Sequence, residues 1–457
     1  MTDLIEIVKC KVIITLRDNT KIDISLSTIG EKANLTNYIT EIDIDESTNV
    51  QNNNPVGVVS SNTLKISLNS NDRSLFPDNV ESQYYGLMDN TATVNVTLED
   101  IDGTVEFNTF YISNWKSNIT SQSPNKVIIE CTDLLSIINK NSVPSGIITQ
   151  NIATKEAFIY MLNKLNEQLE DKYKVQYNDS DIAFNIFNSI EYNNLETESM
   201  GEWLNTLSQC TLTNIYIGRD NKIKTDYCLD DVASESVCIL SDKINITNAS
   251  VDTGGLVNYT GVKTNYITNT INNMDRLTTL SNQLVKPGSN LFDNINMGSK
   301  IFRISAVRLK SDKDSALKLT KLEYDKRTCN ITIENTTTED INCTIEIYGQ
   351  ALKENILSVT KTKSSSNEIL NVTNKLILPE HADLYTEKLL SLIGIRNSNI
   401  SVTGFFNPRI KLGDTVYLDV EKSINTKGYY KIIGLQWRIS NTIKCTAKLI
   451  KTIVEEA

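Results

Sequence analysis

The sequence predicts a mainly β protein: two small antiparallel β-barrels, an inserted α+β domain and an inserted β-rich region. Three observations carry that prediction. Apolar residues recur at every second position near both ends of the chain, the period of a half-buried strand. Turn dipeptides separate those stretches at strand-length intervals. Helical spacing is confined to two windows between the β regions and one window just before the last of them.

The elements follow in chain order. Val12, Ile14 and Leu16 lead through Asp18-Asn19 into Ile22 and Ile24, a compact hairpin. Glu41, Asp43 and Asp45 alternate along one side of a further strand. The polar run Ser67 to Asn79 reads as an ordered excursion on the barrel surface. Val94, Val96 and Leu98 pass through Asp102-Gly103 into Val105 and Phe107. Asp-Gly supplies the positive φ that a two-residue hairpin turn demands. Strand character continues over Phe110 to Trp115 and Lys126 to Leu135, so residues 1–145 are expected to form the N-terminal barrel.

Pro144-Ser-Gly146 marks a change of character. Thr154 is expected as an N-cap, with Phe158, Met161, Leu162, Leu165 and Leu169 following at helical spacing. A second helix from about Glu198 carries Met200, Trp203, Leu204 and Leu207 on one face, then gives way to a strand-turn-strand over Asn214 to Ile223. Residues 146–245 therefore read as a small α+β domain.

Strand character returns at Ile244 and runs through Val251 and Val257 to Tyr266. Further strands are expected at Ile301 to Ser305, Asn330 to Glu334 and Cys343 to Gly349. Lys361 to Asn367 is a Ser/Lys-rich loop, and a third helix over about Glu380 to Ile395 reads as a lid on the barrel. At the end of the chain, Asn407-Pro408 and Gly413-Asp414 bracket a short strand, Arg409 to Leu412. Val416, Leu418 and Val420 then alternate. After Gly428 come Ile433, Leu435, Trp437 and Ile439, a Ser440-Asn441 turn, and Ile443, Cys445, Ala447 and Leu449. Two such strands joined by a short turn close a barrel. Residues 246–270 with 396–457 are expected to form this second barrel, and 271–395 an inserted β-rich region ending in the helix. There is no exact internal repeat, although the first and last β regions share a style.

Composition narrows the function. A chain of 457 residues exceeds one ordinary core, so three or four domains are expected. The 56 acids against 45 bases give a net charge of −11, which argues against a protein that grips nucleic-acid phosphates. An acidic conduit would instead let DNA pass without adhering. The N-terminus has neither a basic region nor an apolar core, so no secretory signal is expected. No run approaches the roughly 18 apolar residues of a membrane span. The eight cysteines are scattered without a C-x-x-C pair and read as buried, reduced thiols.

Catalytic chemistry finds little to work with. His381 is the only histidine, and no G-x-S-x-G elbow accompanies it, so it reads as a surface or capping residue. One histidine and scattered cysteines offer no zinc cluster. Glu41, Asp43 and Asp45 are the densest acids. A calcium loop counted from Asp43 would need Gly and Glu where Thr48 and Asn54 stand, and a solvated or lumen-facing strand is favoured. Gly254-Gly255 lacks the helix of a phosphate loop. Tyr84-Tyr85, Phe405-Phe406 and Tyr429-Tyr430 read as one residue in the core and one outside. No catalytic, cofactor-binding or metal-binding residue is assigned, and no cofactor is expected.

Four stretches together resemble the baseplate hub family of phage and contractile-injection tails. They are Gly103 to Leu135, with its Asp-Gly hairpin, Trp115 and Val-Ile-Ile-Glu-Cys-Thr-Asp-Leu-Leu; Met200 to Ile223, a helix-then-hairpin element with Asn221 where Gly is usual; Asn258 to Tyr266; and Gly404 to Leu449. The resemblance implies tail-tube-like barrels and a non-enzymatic structural protein, without a lysin domain after Ala457. It further implies a homotrimer whose paired barrels make a pseudo-sixfold ring. The tail tube or distal tail protein would sit on one side and the central spike on the other, with tape-measure and baseplate wedge proteins as further partners. Such a protein would be assembled in the host cytoplasm and reside in the virion tail. A receptor-binding adhesin of the same particle is the alternative, and a cell-wall carbohydrate-active enzyme the third reading.

Overall fold

The computed structural model describes residues 7–26, 35–48, 57–100, 102–120, 123–143, 152–184, 189–190, 199–227, 236–252, 259–324, 327–363, 368–395, 399–422 and 424–452. The fold is mainly β, with short helices set between the β regions, as the alternating pattern implies. The chain divides into two compact units, Met1–Thr264 with Val359–Ala457, and Asn265–Ser358.

In the first unit, seven strands make the N-terminal barrel: Ile7–Thr15, Lys21–Ser25, Asn37–Ser47, Thr63–Ser70, Thr93–Asp100, Gly103–Thr120 and Ser123–Thr132. Their spatial order is 37–47, 63–70, 123–132, 103–120, 93–100, 7–15, 21–25. A parallel bridge from Leu26 to Ile39 brings the last strand back to the first. Val12, Ile14, Ile42, Ile44, Ile66, Val94, Val96 and Ile129 all point inward and are buried. Gly103 takes φ +124°, but it pairs with Asp100 and opens the next strand, and Asp102 does not take a positive φ, so the turn is not the expected one centred on Asp102-Gly103. The strand expected to reach Leu135 stops at Thr132. Asp133 ends it: its carboxylate accepts from Leu135 N and caps a one-turn helix, Leu134–Ile138.

The α+β portion holds helices Thr154–Asn166 and Met200–Thr211 and the hairpin Thr213–Ile217 with Lys222–Tyr227. Ser199, not a threonine, supplies a side-chain cap here, to Glu202 N. Thr154 is the first helical residue rather than the cap; Ala153 holds the cap position without a side-chain bond. Apolar spacing, not capping, starts that helix. Helix Ala382–Ile395 also belongs to this unit. Among the described residues none of this helix joins the barrel core, and its buried Tyr385 lies near Cys210 of helix Met200–Thr211, so it packs on the α+β portion rather than as the expected lid on the barrel.

The second barrel uses Cys238–Ser241, Ile246–Asp252, Asn399–Gly404, Thr415–Val420, Thr426–Ile439 and Ile443–Lys451. Arg409 to Leu412 is not a strand. Asn407 Oδ1 accepts from Arg409 N and Asp414 Oδ2 from Lys411 N, so two successive turns consume the donors a ladder would need. Both barrels lie in one 13-stranded sheet and share one continuous apolar core.

The barrels also repeat each other over five strands in order and in most of their register, although a shift between Asn95 and Thr97 has no counterpart in Thr415–Val420. The orders 37–47, 63–70, 123–132, 103–120, 93–100 and 246–252, 399–404, 443–451, 426–439, 415–420 correspond. Thr93 pairs with Tyr111 as Thr415 pairs with Lys431. A bulge between Ile112 and Asn114 matches one between Ile432 and Gly434. Another, between Ile39 and Glu41, matches one between Ile246 and Asn248. Even the bulged residues behave alike: Thr40 Oγ1 donates to Ser67 O, and Thr247 Oγ1 to Thr403 O, at 2.9 and 3.0 Å. The sixth strands differ, since Ile7–Thr15 runs antiparallel to its neighbour and Cys238–Ser241 parallel.

The second unit, taken alone, contains a three-stranded sheet of Gly288–Asn296, Thr328–Asn335 and Leu317–Tyr324. Asp275–Val285 and Lys300–Lys310 pair on either side of the strand that begins at Ile341. Val285, Ile331, Ile333, Cys343, Ile345 and Ile347 form its core.

Candidate functional site

The site that the residues build is a junction. Gly434–Ile439 of the second barrel pairs antiparallel with Ile42–Ser47 of the first, setting Trp437 opposite Ile44. On the outer face Arg438 Nε meets Glu41 and Asp43, each at 2.9 Å, and Gln436 donates to Asp45 at 3.0 Å. The alternating acids therefore lie solvated on a sheet face, held by a neighbouring strand. Among the described residues no group of three His, Cys, Asp or Glu could hold a metal ion.

On the inner face the junction carries a buried ion pair. Glu46 takes Arg219 Nε at 2.7 Å and Nη2 at 2.5 Å, and also accepts from Trp437 Nε1 at 3.1 Å. Arg219 Nη1 donates to Pro408 O, and the guanidinium lies 4.4 Å from the Phe107 ring centroid. Both charged side chains are buried. Fork-to-carboxylate geometry of this kind is the strong form of a charge-assisted hydrogen bond. One guanidinium thus ties together both barrels and the α+β hairpin.

The hairpin is fixed by amides. Asn62 and Asn108 donate to Ile217 O, and Asn108 also to Gly218 O. Asn221 adopts φ +58°, the left-handed region in which Asn is the best-tolerated substitute for Gly, and its Oδ1 accepts from Thr109 N. Behind the hairpin, Asp133 accepts from Asn62 N at 2.8 Å. Burial pushes its carboxyl up to about 7, against the pull of backbone donors on Asn62, Ser136 and Leu135 and of Ser61. Burial likewise raises the Cys445 thiol well above its ordinary value, in keeping with an inert core cysteine.

The second barrel has two strands with a single strand neighbour among the described residues, Cys238–Ser241 and Ile246–Asp252. On the first of them the Asn245 amide accepts from Ser241 N and donates to Ile239 O. Val237, Ile239, Ile244, Val251 and Phe405 stand exposed along them. Unpaired edges with apolar side chains are the usual substrate of strand addition.

The remaining sequence candidates fall into bland places. His381 N closes the turn ahead of helix Ala382–Ile395 by donating to Leu378 O. Phe406 and Tyr430 are buried while Phe405 and Tyr85 face outward, and Tyr429 packs edge-on against Tyr417. Gly254-Gly255 lies outside the described residues. Sequence reasoning passed over Glu46 and Arg219. Parity held the signal for the first: Ile42, Ile44 and Glu46 form one row, and an acid in an apolar row asks for a buried partner.

No protein-family model matches the chain, and no curated protein matches it. Solved structures do. A tail protein from Neisseria meningitidis MC58 superposes with a TM-score of 0.53 at 10% identity, covering 97% of this chain and 96% of that one. The 43 kDa tail protein of prophage MuSo2 from Shewanella oneidensis gives 0.51 at 10% identity, covering 96% and 98%. The chain shares their fold. This phage tail-protein fold extends over nearly the whole length of each chain, which agrees with the resemblance carried by the four sequence stretches.

Proposed function

We propose that the chain is a structural hub of a phage or phage-like tail baseplate, acting as a homotrimer that joins the tail tube to the central spike. The observation that carries this reading is the repetition of strand order and of two bulges of one barrel in the other. A threefold assembly facing a sixfold tube must offer two nearly equivalent surfaces per subunit. Two barrels with matching strand order, bulges and bulge hydrogen bonds supply them. The full-length likeness to two tail proteins supports the same reading. On it, the work is mechanical rather than catalytic, and the protein resides in the virion tail.

The test is the mass of the intact chain in solution, measured by analytical ultracentrifugation alone and with candidate tube and spike proteins. A trimer, alone or on addition of a partner, is expected. A monomer under every condition removes the hub reading.

A further inference from the structure

The repetition does more than supply two surfaces: it predicts how copies meet. Within the chain, Ile42–Ser47 covers the edge of strand Thr426–Ile439 beyond the point where Thr415 pairs with Lys431. The equivalent edge in the first barrel lies beyond Thr93–Tyr111, along Asn114 to Ile119. Among the described residues no strand pairs there, and Gly103–Thr120 has its two barrel neighbours alone. The equivalent of Asn37–Ser47 in the second barrel is Ile246–Asp252, whose outer edge is also unpaired among the described residues. The chain thus carries one made joint and both halves of an unmade one.

Resting on the assembly reading above, we propose that Ile246–Asp252 of one copy adds antiparallel to the Asn114–Ile119 edge of the next, in the register of the internal joint. The bulge-matched correspondence fixes that register. Gln436 opposite Asp45 becomes Lys116 opposite Asp252, Trp437 opposite Ile44 becomes Ser117 opposite Val251, and Arg438 opposite Asp43 becomes Asn118 opposite Ser250.

Burial supports it. Ile44, whose joint is made, is 1% exposed, whereas its counterpart Val251 is 42% exposed. Polarity supports it too. The internal joint is held outside by Arg438 with Glu41 and Asp43. Among the described side chains of the two edges, Lys116 is the only charged one, so no like charges oppose one another. A joint that uses different surfaces on the two copies is heterologous and must close into a ring or run on as a filament. Repeating the internal joint between copies makes all barrel-to-barrel steps equivalent, which favours closure.

Cysteine pairs test the register. In the full-length protein, Ser117→Cys with Val251→Cys should be joined between copies by a short bifunctional thiol reagent, as a ladder ending at the closed ring. Mixing the two single variants should stop at linked dimers, because each copy then carries one half-joint. Lys116→Cys with Val251→Cys, one residue out of step and on opposite faces, should not link. Linkage of the out-of-step pair, or none in a protein that is oligomeric by mass, overturns the register while leaving the hub reading intact; in the latter case the Asn71–Ala92 excursion covers the edge. A protein that stays monomeric with every partner overturns both. Val251→Asp adds an independent readout: circular dichroism unchanged, since Val251 is exposed in the single chain, with the mass shifted to monomer.

Discussion

At the residue scale the molecule depends on Glu46 and Arg219, a buried pair that closes the junction of three structural parts. Removing one partner leaves the other charged and out of water, an effect of about 3–5 kcal/mol. Arg219→Ala should therefore lower the unfolding free energy from urea titration by that amount, and Glu46→Leu with Arg219→Met should recover much of it. Asp133 predicts a pH effect of the opposite sense to most carboxylates. Its folded value, about 7, lies above the ordinary aspartate value near 4. Folding takes up a proton in that window, so stability is full below it and falls as pH rises towards 7, by up to about 1.4 kcal/mol per pH unit. Urea titrations between these limits should show that slope in the parent and lose it in Asp133→Asn. Neither residue advertised itself fully. Asp133 sat in a stretch whose apolar run reads as strand, and only its cap geometry ends the strand. Arg219 sits in a turn, where nothing local says that its head is buried against a residue far along the chain.

At the element scale, alternation located the barrel strands because one face of each is buried and the other is not. Val94, Val96 and Leu98, and Leu435, Trp437 and Ile439, show this directly. Turn chemistry was harder: the Asn407 and Asp414 side chains capture backbone donors and dissolve a strand the apolar pattern allowed. The internal repeat was hidden for a different reason. Corresponding strands are separated by unequal links, residues 48–62 against 253–398 and 71–92 against 405–414, so no fixed period survives. What is shared is bulge position and parity, which sequence identity does not record. Asn221 gives an element-scale prediction. It holds a left-handed turn and receives Thr109 N. Asn221→Gly keeps the turn and loses one hydrogen bond, about 0.5–1.5 kcal/mol. Asn221→Val loses the bond and adds backbone strain of about 1–3 kcal/mol. Denaturant midpoints should fall in the order parent, Gly, Val.

At the scale of the whole molecule, the insertion falls in an informative place. The second unit, Asn265–Ser358, interrupts the link between Ile246–Asp252 and Asn399–Gly404. The corresponding link in the first barrel is the short span of residues 48–62. The link that one barrel makes with residues 48–62 is therefore the point at which the other can accept a separate body without disturbing a strand pair. That body has its own core in Ile331, Ile333, Ile345 and Ile347, and among the described residues the barrel core contains none of its side chains. Two cores that share no side chain need not melt together. Calorimetry of the intact chain should resolve two transitions. Replacing residues 265–358 by a short Gly/Ser turn between Thr264 and Val359 should abolish one transition and leave the other near its original temperature. Because both halves of the proposed joint lie in the first unit, the shortened chain should still assemble to the same subunit number. If it folds yet remains monomeric where the full chain does not, the barrel edges are insufficient and the second unit supplies contacts between copies.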